Sequence, residues 1–155
     1  MKLKQGLRIG KIPYLNLFPI FYYLENHLSE DIDFIEGPPT EVNTLLREGS
    51  IDVSPSSSVV YLLNKDEIEF IPGHSISSLG PVMSILFVTK RPLREINSTV
   101  ALSPYSETSN LLLKVILNRF YNLRPCYTTP RTQDLSSLET SEGALFIGDD
   151  ALKLR

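Results

Sequence analysis

The 155-residue chain has no tryptophan, one cysteine (Cys126), two histidines (His27 and His74) and two methionines. Each scarcity removes a class of function. A lone cysteine permits neither a disulfide framework nor a cysteine-based zinc site, and the histidines stand at no metal-ligand spacing. Neither a metal nor a cofactor is expected. No Gly-rich stretch ends in Gly-Lys-Ser/Thr, and no Gly-x-Ser-x-Gly elbow presents a serine nucleophile. A basic excess is missing as well: 15 Lys+Arg against 18 Asp+Glu leave a net charge of −3. No Lys/Arg run supplies a local footprint for nucleic acid. The longest apolar run, Ile85-Leu86-Phe87-Val88, is far too short to cross a bilayer. The charged opening Met1 to Arg8 is followed by no signal-peptide core. The reading is a cytoplasmic protein without nucleic-acid or membrane partners; oligomeric state is not legible.

What the chain has in abundance is hydroxyls before apolar segments. Leu102-Ser103-Pro104-Tyr105-Ser106-Glu107-Thr108-Ser109-Asn110 runs into the helical stretch Leu111 to Tyr121. Ser106, Thr108 or Ser109 can cap that helix, while its free N–H groups and positive dipole end favour an anion. Capping alone would explain these residues equally well. Repetition tips the balance, because Ser54-Pro55-Ser56-Ser57-Ser58 precedes Val59 to Leu63, and Ser75 to Pro81 precedes the strand-like Val82 to Val88. Three such turns point to one lined cleft.

Periodicity gives a βαβ beginning. Leu7 to Ile12 alternates as a strand, Leu17 to Leu28 is a helix with Pro19 in its first turn, and Ile32 to Ile35 is a second strand. Gly37-Pro38-Pro39 stops that strand, and Thr40 is expected to cap a helix that Gly49 ends. Ile51 to Val53 is the next strand and Ser56 to Asn64 the next helix. This alternation predicts an α/β fold with a largely parallel sheet, binding ligands beyond the carboxyl ends of its strands. Lys90 to Glu95 is a polar, proline-containing break, so the expected division is a first lobe over 1–88 and a second over 89–155. The second holds strands at Thr99 to Leu102, Pro125 to Thr128 and Gly143 to Ile147, a helix at Thr108 to Tyr121, and a short helix from Ala151.

Few residues carry obvious chemistry. His27 reads as a solvated residue at a helix end, and His74, in a turn, is the better functional candidate of the two. Asp52 can be read as a general base between two apolar residues, although tying down a neighbouring turn is the simpler role. Asp149 and Asp150 follow a strand, where either can touch ligand or cap the next helix. Asn16 closes Pro13-Tyr14-Leu15-Asn16 directly after the first strand. Its amide can donate to and accept from one ligand, or it can cap the helix at Leu17; the two readings weigh equally.

Arg8-Ile9-Gly10-Lys11-Ile12-Pro13-Tyr14-Leu15-Asn16 with Pro19 resembles the opening of the chorismate dehydratases, which act in the futalosine route to menaquinone. The later blocks agree in order: Gly49-Ser50-Ile51-Asp52-Val53 with Ser57-Ser58, Ile71-Pro72-Gly73 through Ser77 to Ser84, Ser106-Glu107-Thr108-Ser109, and Ile147-Gly148-Asp149-Asp150-Ala151-Leu152. The resemblance implies a periplasmic-binding-protein-like fold of type II, two α/β lobes around a cleft. It implies a carbon–oxygen lyase that eliminates water from chorismate to give 3-[(1-carboxyvinyl)oxy]benzoate. Relatives continue well past Asp150, so the second lobe is expected to be incomplete. For such a reaction Asn16 is the candidate catalytic residue, positioning the ring hydroxyl or the enolpyruvyl group. Ser106, Thr108 and Ser109 suit one carboxylate, Ser84 with Ser56 and Ser57 suits the other, and Gly148 and Asp149 complete the binding set. The alternatives are a non-catalytic small-anion-binding protein of the same fold and a truncated, inactive relative.

Overall fold

The computed structural model describes residues 6–28 and 31–155; Met1 to Gln5, within the charged opening, lie outside them. The chain divides into two compact units, Met1–Pro72 and Gly73–Arg155.

In the first unit, β1 (Leu7–Lys11) pairs in parallel with β2 (Ile32–Glu36), Ile9 opposite Phe34. On its other side Ile9 makes a parallel bridge to Val53. The segment expected as a third strand is therefore held at one bridge, reinforced where Gly10 N–H donates to the Val53 carbonyl at 2.8 Å. Helix α1 (Phe18–His27) and helix α2 (Pro39–Arg47) connect these pieces, followed by α3 (Ser58–Leu63). Thr40 does not cap α2. Pro38 occupies the cap, and Pro39, with its fixed φ and no N–H to leave unpaired, takes the first turn. Gly49, at φ +67, ends this helix as expected. Ile9, Ile12, Leu17, Phe21, Val42 and Ile51 form the core, with Phe21 and Phe34 edge to face at 6.2 Å.

Gly10 shows how closely these parts meet. A Cβ placed there would lie 2.6 Å from Val42 Cγ1 and 2.7 Å from Ile51 Cδ1. Only glycine lets helix α2 approach the sheet at this point.

The second unit is a four-stranded sheet in the order β3-β6-β4-β5, with β3 (Ile85–Thr89), β4 (Thr99–Ala101), β5 (Cys126–Thr128) and β6 (Gly143–Ile147). Strand β4 runs parallel to β5 and β6, but β3 runs antiparallel to β6. The sheet is thus mixed rather than largely parallel. The pairing of β3 with β6 places Ile85–Val88, read by sequence as the end of a first lobe over 1–88, in the unit Gly73–Arg155. Val82 to Ser84, expected as the start of this strand, lie outside it.

Every residue of β6 is buried. Leu145 packs with Val100, Leu102, Leu113 and Leu117, bringing in helix α4 (Glu107–Tyr121). Ala144 and Phe146 face the other way, with Ala101, Ala151 and Leu138. Leu138 and Ala151 belong to the short helices α5 (Ser137–Thr140) and α6 (Gly148–Lys153). Two covered faces explain an uninterrupted apolar strand. Among the described residues, no helix is long and apolar enough to cross a membrane.

Candidate functional site

In the first unit, the chain leaves β1 through a turn in which the Leu17 N–H donates to the Tyr14 carbonyl at 2.9 Å. Leu17 is buried under the turn and Asn16 is exposed upon it. The helix cap is Leu17, with no side-chain hydrogen bond. Asn16 therefore does not cap α1, and its amide stands at the carboxyl end of a parallel strand, where α/β sheets bind ligands.

The Ser54 to Ser58 turn follows Val53, at the same end of this sheet. Its organiser is Asn43 of α2, which has no exposed surface. Asn43 Oδ1 accepts from Ser56 Oγ at 2.7 Å and from the Ser57 N–H at 3.4 Å, while Nδ2 donates to Ser57 Oγ at 3.1 Å. Ser57 occupies the cap of α3, but its side chain does not cap; the hydroxyl is engaged by Asn43 instead. Asn43 was missed in the sequence, where it is one more polar residue beside Val42.

Asp52 is not a base. It takes a fork from Arg8, Nη2 to Oδ1 at 2.7 Å and Nε to Oδ2 at 3.1 Å, and accepts the Arg8 backbone N–H at 2.8 Å. These hydrogen bonds hold its carboxyl down at about 2, so it is ionised and committed. Arg8 also donates to the Gly49 carbonyl, so the pair ties the turn after α2 to β1. His27 receives the role read for it, at the end of α1, stacked on Tyr23 at 4.4 Å with Nδ1 3.1 Å from the Tyr23 carbonyl.

In the second unit, the cap question of the opening hydroxyl stretch is resolved. Ser106 caps α4, accepting the Ser109 N–H at 3.1 Å and donating to Ser109 Oγ at 2.8 Å. Thr108 lies half-buried inside the first turn of the helix. Behind them Asn110 clamps Ser103: Oδ1 accepts the Ser103 N–H at 2.9 Å and Nδ2 donates to its carbonyl at 2.8 Å. Ser103 is itself buried and donates to Gln133 Oε1 at 2.6 Å.

Ser84 and Gly148 meet at the neighbouring strand ends, where the Gly148 N–H donates to the Ser84 carbonyl at 2.8 Å. Gly148, at φ +63, adopts a conformation costly for other residues and begins α6. That helix thus starts before Ala151. Asp149 and Asp150 sit in its first turn and neither caps it, the cap being Ile147. Asp149 is exposed; Asp150 Oδ2 accepts from Gln133 Nε2 at 3.2 Å. The second unit therefore brings together Ser84, Gly148 and Asp149, with Ser106 and Ser109 beyond the adjacent strand. The third hydroxyl turn is not organised in this way. Ser75 to Pro81 are exposed and outside helices and strands, linked only through a Ser75–Ser77 hydroxyl contact of 2.7 Å. His74 lies on this same exposed stretch.

Each unit thus carries hydroxyls held by side-chain amides, together with helix-start N–H groups, at the carboxyl ends of its parallel strands, a chemistry fitted to carboxylates. A sequence model of the family described as menaquinone biosynthesis matches residues 7–155. The chain belongs to the menaquinone-biosynthesis family. Within that family, it is 33% identical over 145 residues to a chorismate dehydratase of Thermus thermophilus, covering 94% of this chain and 51% of that protein. The chain therefore spans about half the length of the curated relative it matches.

Solved structures agree on the fold. Protein AF1704 of Archaeoglobus fulgidus superposes with a TM-score of 0.73 at 18% identity, over 96% of this chain and 56% of that one. The ATP phosphoribosyl transferase (HisG:HisZ) complex of Thermotoga maritima gives 0.53 at 17% identity, over 96% and 78%. Both are mixed α/β likenesses.

Proposed function

We propose that this chain binds chorismate and serves its dehydration to 3-[(1-carboxyvinyl)oxy]benzoate, a cytoplasmic carbon–oxygen lyase step of the futalosine route to menaquinone. The proposal includes a periplasmic-binding-protein-like fold of type II and needs no cofactor. The observation that carries it is the placement of amide-held hydroxyl turns at the carboxyl ends of the parallel strands, Ser56–Ser57 by Asn43 and Ser103 by Asn110, in a chain of the menaquinone-biosynthesis family.

The chemistry asks for charge stabilisation more than for a strong base. The proton lost sits on the ring carbon that bears the enolpyruvyl ether, and the hydroxyl leaves from the neighbouring carbon as water. The ring carboxylate acidifies that proton through the intervening double bond, and aromatisation drives the elimination. Preorganised donors aimed at the developing anion are the main requirement. In the second unit, Ser106, Thr108 and Ser109 at the start of the 15-residue helix α4 would hold one carboxylate, with Ser84, Gly148 and Asp149 at the adjoining strand ends. In the first unit, Ser56 and Ser57 would hold the other anionic end, and Asn16 the ring hydroxyl or enolpyruvyl group.

An amide has no useful basicity, so the base is assigned to the substrate's own enolpyruvyl carboxylate or to a bound water. The leaving hydroxyl takes up the proton and departs as water.

Mixing purified protein with chorismate and following the ultraviolet spectrum tests the reading, with a new benzoate-type absorption as the expected result. Asn16→Ala should abolish that signal without lowering Tm, because Asn16 caps nothing. Chorismate binding by calorimetry without spectral change would leave a binding protein. The absence of both binding and conversion would refute the proposal.

A further inference from the structure

Beyond the Ala101–Ala144 pair, β4 no longer accompanies β6, which continues to Ile147 with β3 alone. The peptide groups at the end of β6 consequently lose a strand partner on one side. The side chain of Gln133 supplies it. Gln133 Oε1 accepts the Ile147 N–H at 3.1 Å and the Ser103 hydroxyl at 2.6 Å. Gln133 Nε2 donates to the Ile147 carbonyl at 2.8 Å and to Asp150 Oδ2 at 3.2 Å. Both lone pairs and both N–H donors are used, the full capacity of a carboxamide.

Gln133 is itself held by its own turn. Asp134 Oδ2 accepts from Thr132 Oγ1 at 2.8 Å, and Oδ1 accepts the Ser136 N–H at 2.8 Å and the Ser136 hydroxyl. A hydrogen-bonded loop thus presents one amide to two different site turns.

We propose that Gln133 is a positioning residue: its carboxamide fixes the Ser103–Ser109 turn against the Ile147–Asp150 turn, and so sets how the second unit holds a carboxylate. Its substrate readout rests on the chorismate reading above. Gln133 touches no candidate ligand group directly; it acts through Ser103 and Ile147. Loosening the two turns should weaken ground state and transition state alike, which appears in KM and not in kcat.

Two variants test this. Gln133→Ala should raise KM for chorismate about tenfold or more while kcat stays within about threefold, one lost positioning interaction being of that order. A merely structural role would lower the folded fraction, and with it the apparent kcat, at unchanged KM. Gln133→Glu keeps the acceptor for Ser103 and Ile147 but sets a second oxygen against the Ile147 carbonyl and the Asp150 carboxylate. Asp134 adds negative charge on the same loop, and Lys153, 3.4 Å from Asp150, is exposed. The new carboxyl should therefore hold its proton more tightly than usual. Its KM, relative to wild type at each pH, should fall towards wild type between about pH 8 and about pH 5, as protonation restores the donor.

A Gln133→Ala KM within twofold of wild type, or a Gln133→Glu KM without this pH dependence, overturns the inference. Should the wild-type chain convert no chorismate, the functional reading fails by itself. Amide exchange at Ile147 in the ligand-free protein then decides: at least tenfold faster in Gln133→Ala sustains the bracket, and an unchanged rate overturns it.

Discussion

Replacing Asn43 with alanine should destabilise the first unit by about 3 kcal/mol, although Asn43 belongs to no regular hydrogen-bond ladder through its side chain. Among the bonds of this amide are two of ordinary length, 2.7 Å to Ser56 Oγ and 3.1 Å to Ser57 Oγ, and one at the limit, 3.4 Å from the Ser57 N–H. Two good bonds contribute about 1 kcal/mol each on a net basis. The side chain has no exposed surface, so truncation also leaves a void beside Val42, worth about 1 kcal/mol more. Ser56 is exposed and can rebond to water, which keeps the total from rising further. Urea titration followed by circular dichroism measures the loss. Asn43→Asp provides the control. It retains the acceptor and hence the turn, but places a carboxyl in a site without solvent, so burial raises the carboxyl pKa above its unfolded value. The folded state then binds the proton more tightly, and the variant should match wild type below about pH 4 and lose stability as pH rises. A loss under about 0.5 kcal/mol in Asn43→Ala, or a flat pH profile in Asn43→Asp, would refute the claim that this amide holds the serine turn.

Two further outcomes follow from packing and charge. Gly10→Ala should destabilise by about 1–3 kcal/mol, since its Cβ would intrude on Val42 Cγ1 at 2.6 Å and Ile51 Cδ1 at 2.7 Å; a thermal melt indistinguishable from wild type would show that α2 yields freely. Asp52 should titrate at about 2 by carboxyl-carbon NMR, below its ordinary 3.8. A folded value below the unfolded one means that its contribution is complete above about pH 4 and is lost as pH falls through about 2. Asp52→Asn should flatten the acid limb of the stability profile in that window, and a midpoint near 4 in the wild type would contradict the Arg8 fork.

The pieces legible in the sequence were those decided within a few residues. Ser106, Thr108 and Ser109 could be picked out together as candidate caps because hydroxyls just ahead of an apolar helical run mark a helix start, and the apolar run of β6 was readable because both its faces are covered. Asn16 could be placed after the first strand but not relieved of a capping role, since the turn Tyr14–Leu17 that makes Leu17 the cap is set by tertiary burial of Leu17. Where the partner lies far along the chain, local pattern had nothing to offer. Asp52 finds Arg8 across 44 residues, and β3 finds β6 rather than the strands before it, which is why β3 lies in the unit Gly73–Arg155.

Asn43, Asn110 and Gln133 share a deeper reason for being overlooked. Each uses a side-chain amide at a backbone N–H, and Asn110 and Gln133 engage the carbonyl of the same residue as well. An amide side chain can stand in for a missing strand wherever a ladder ends, and ladders end where α/β sheets bind ligands. The residues that shape such a site are therefore drawn from elsewhere in the chain, and their polarity looks like ordinary surface until the strand ends they serve are known.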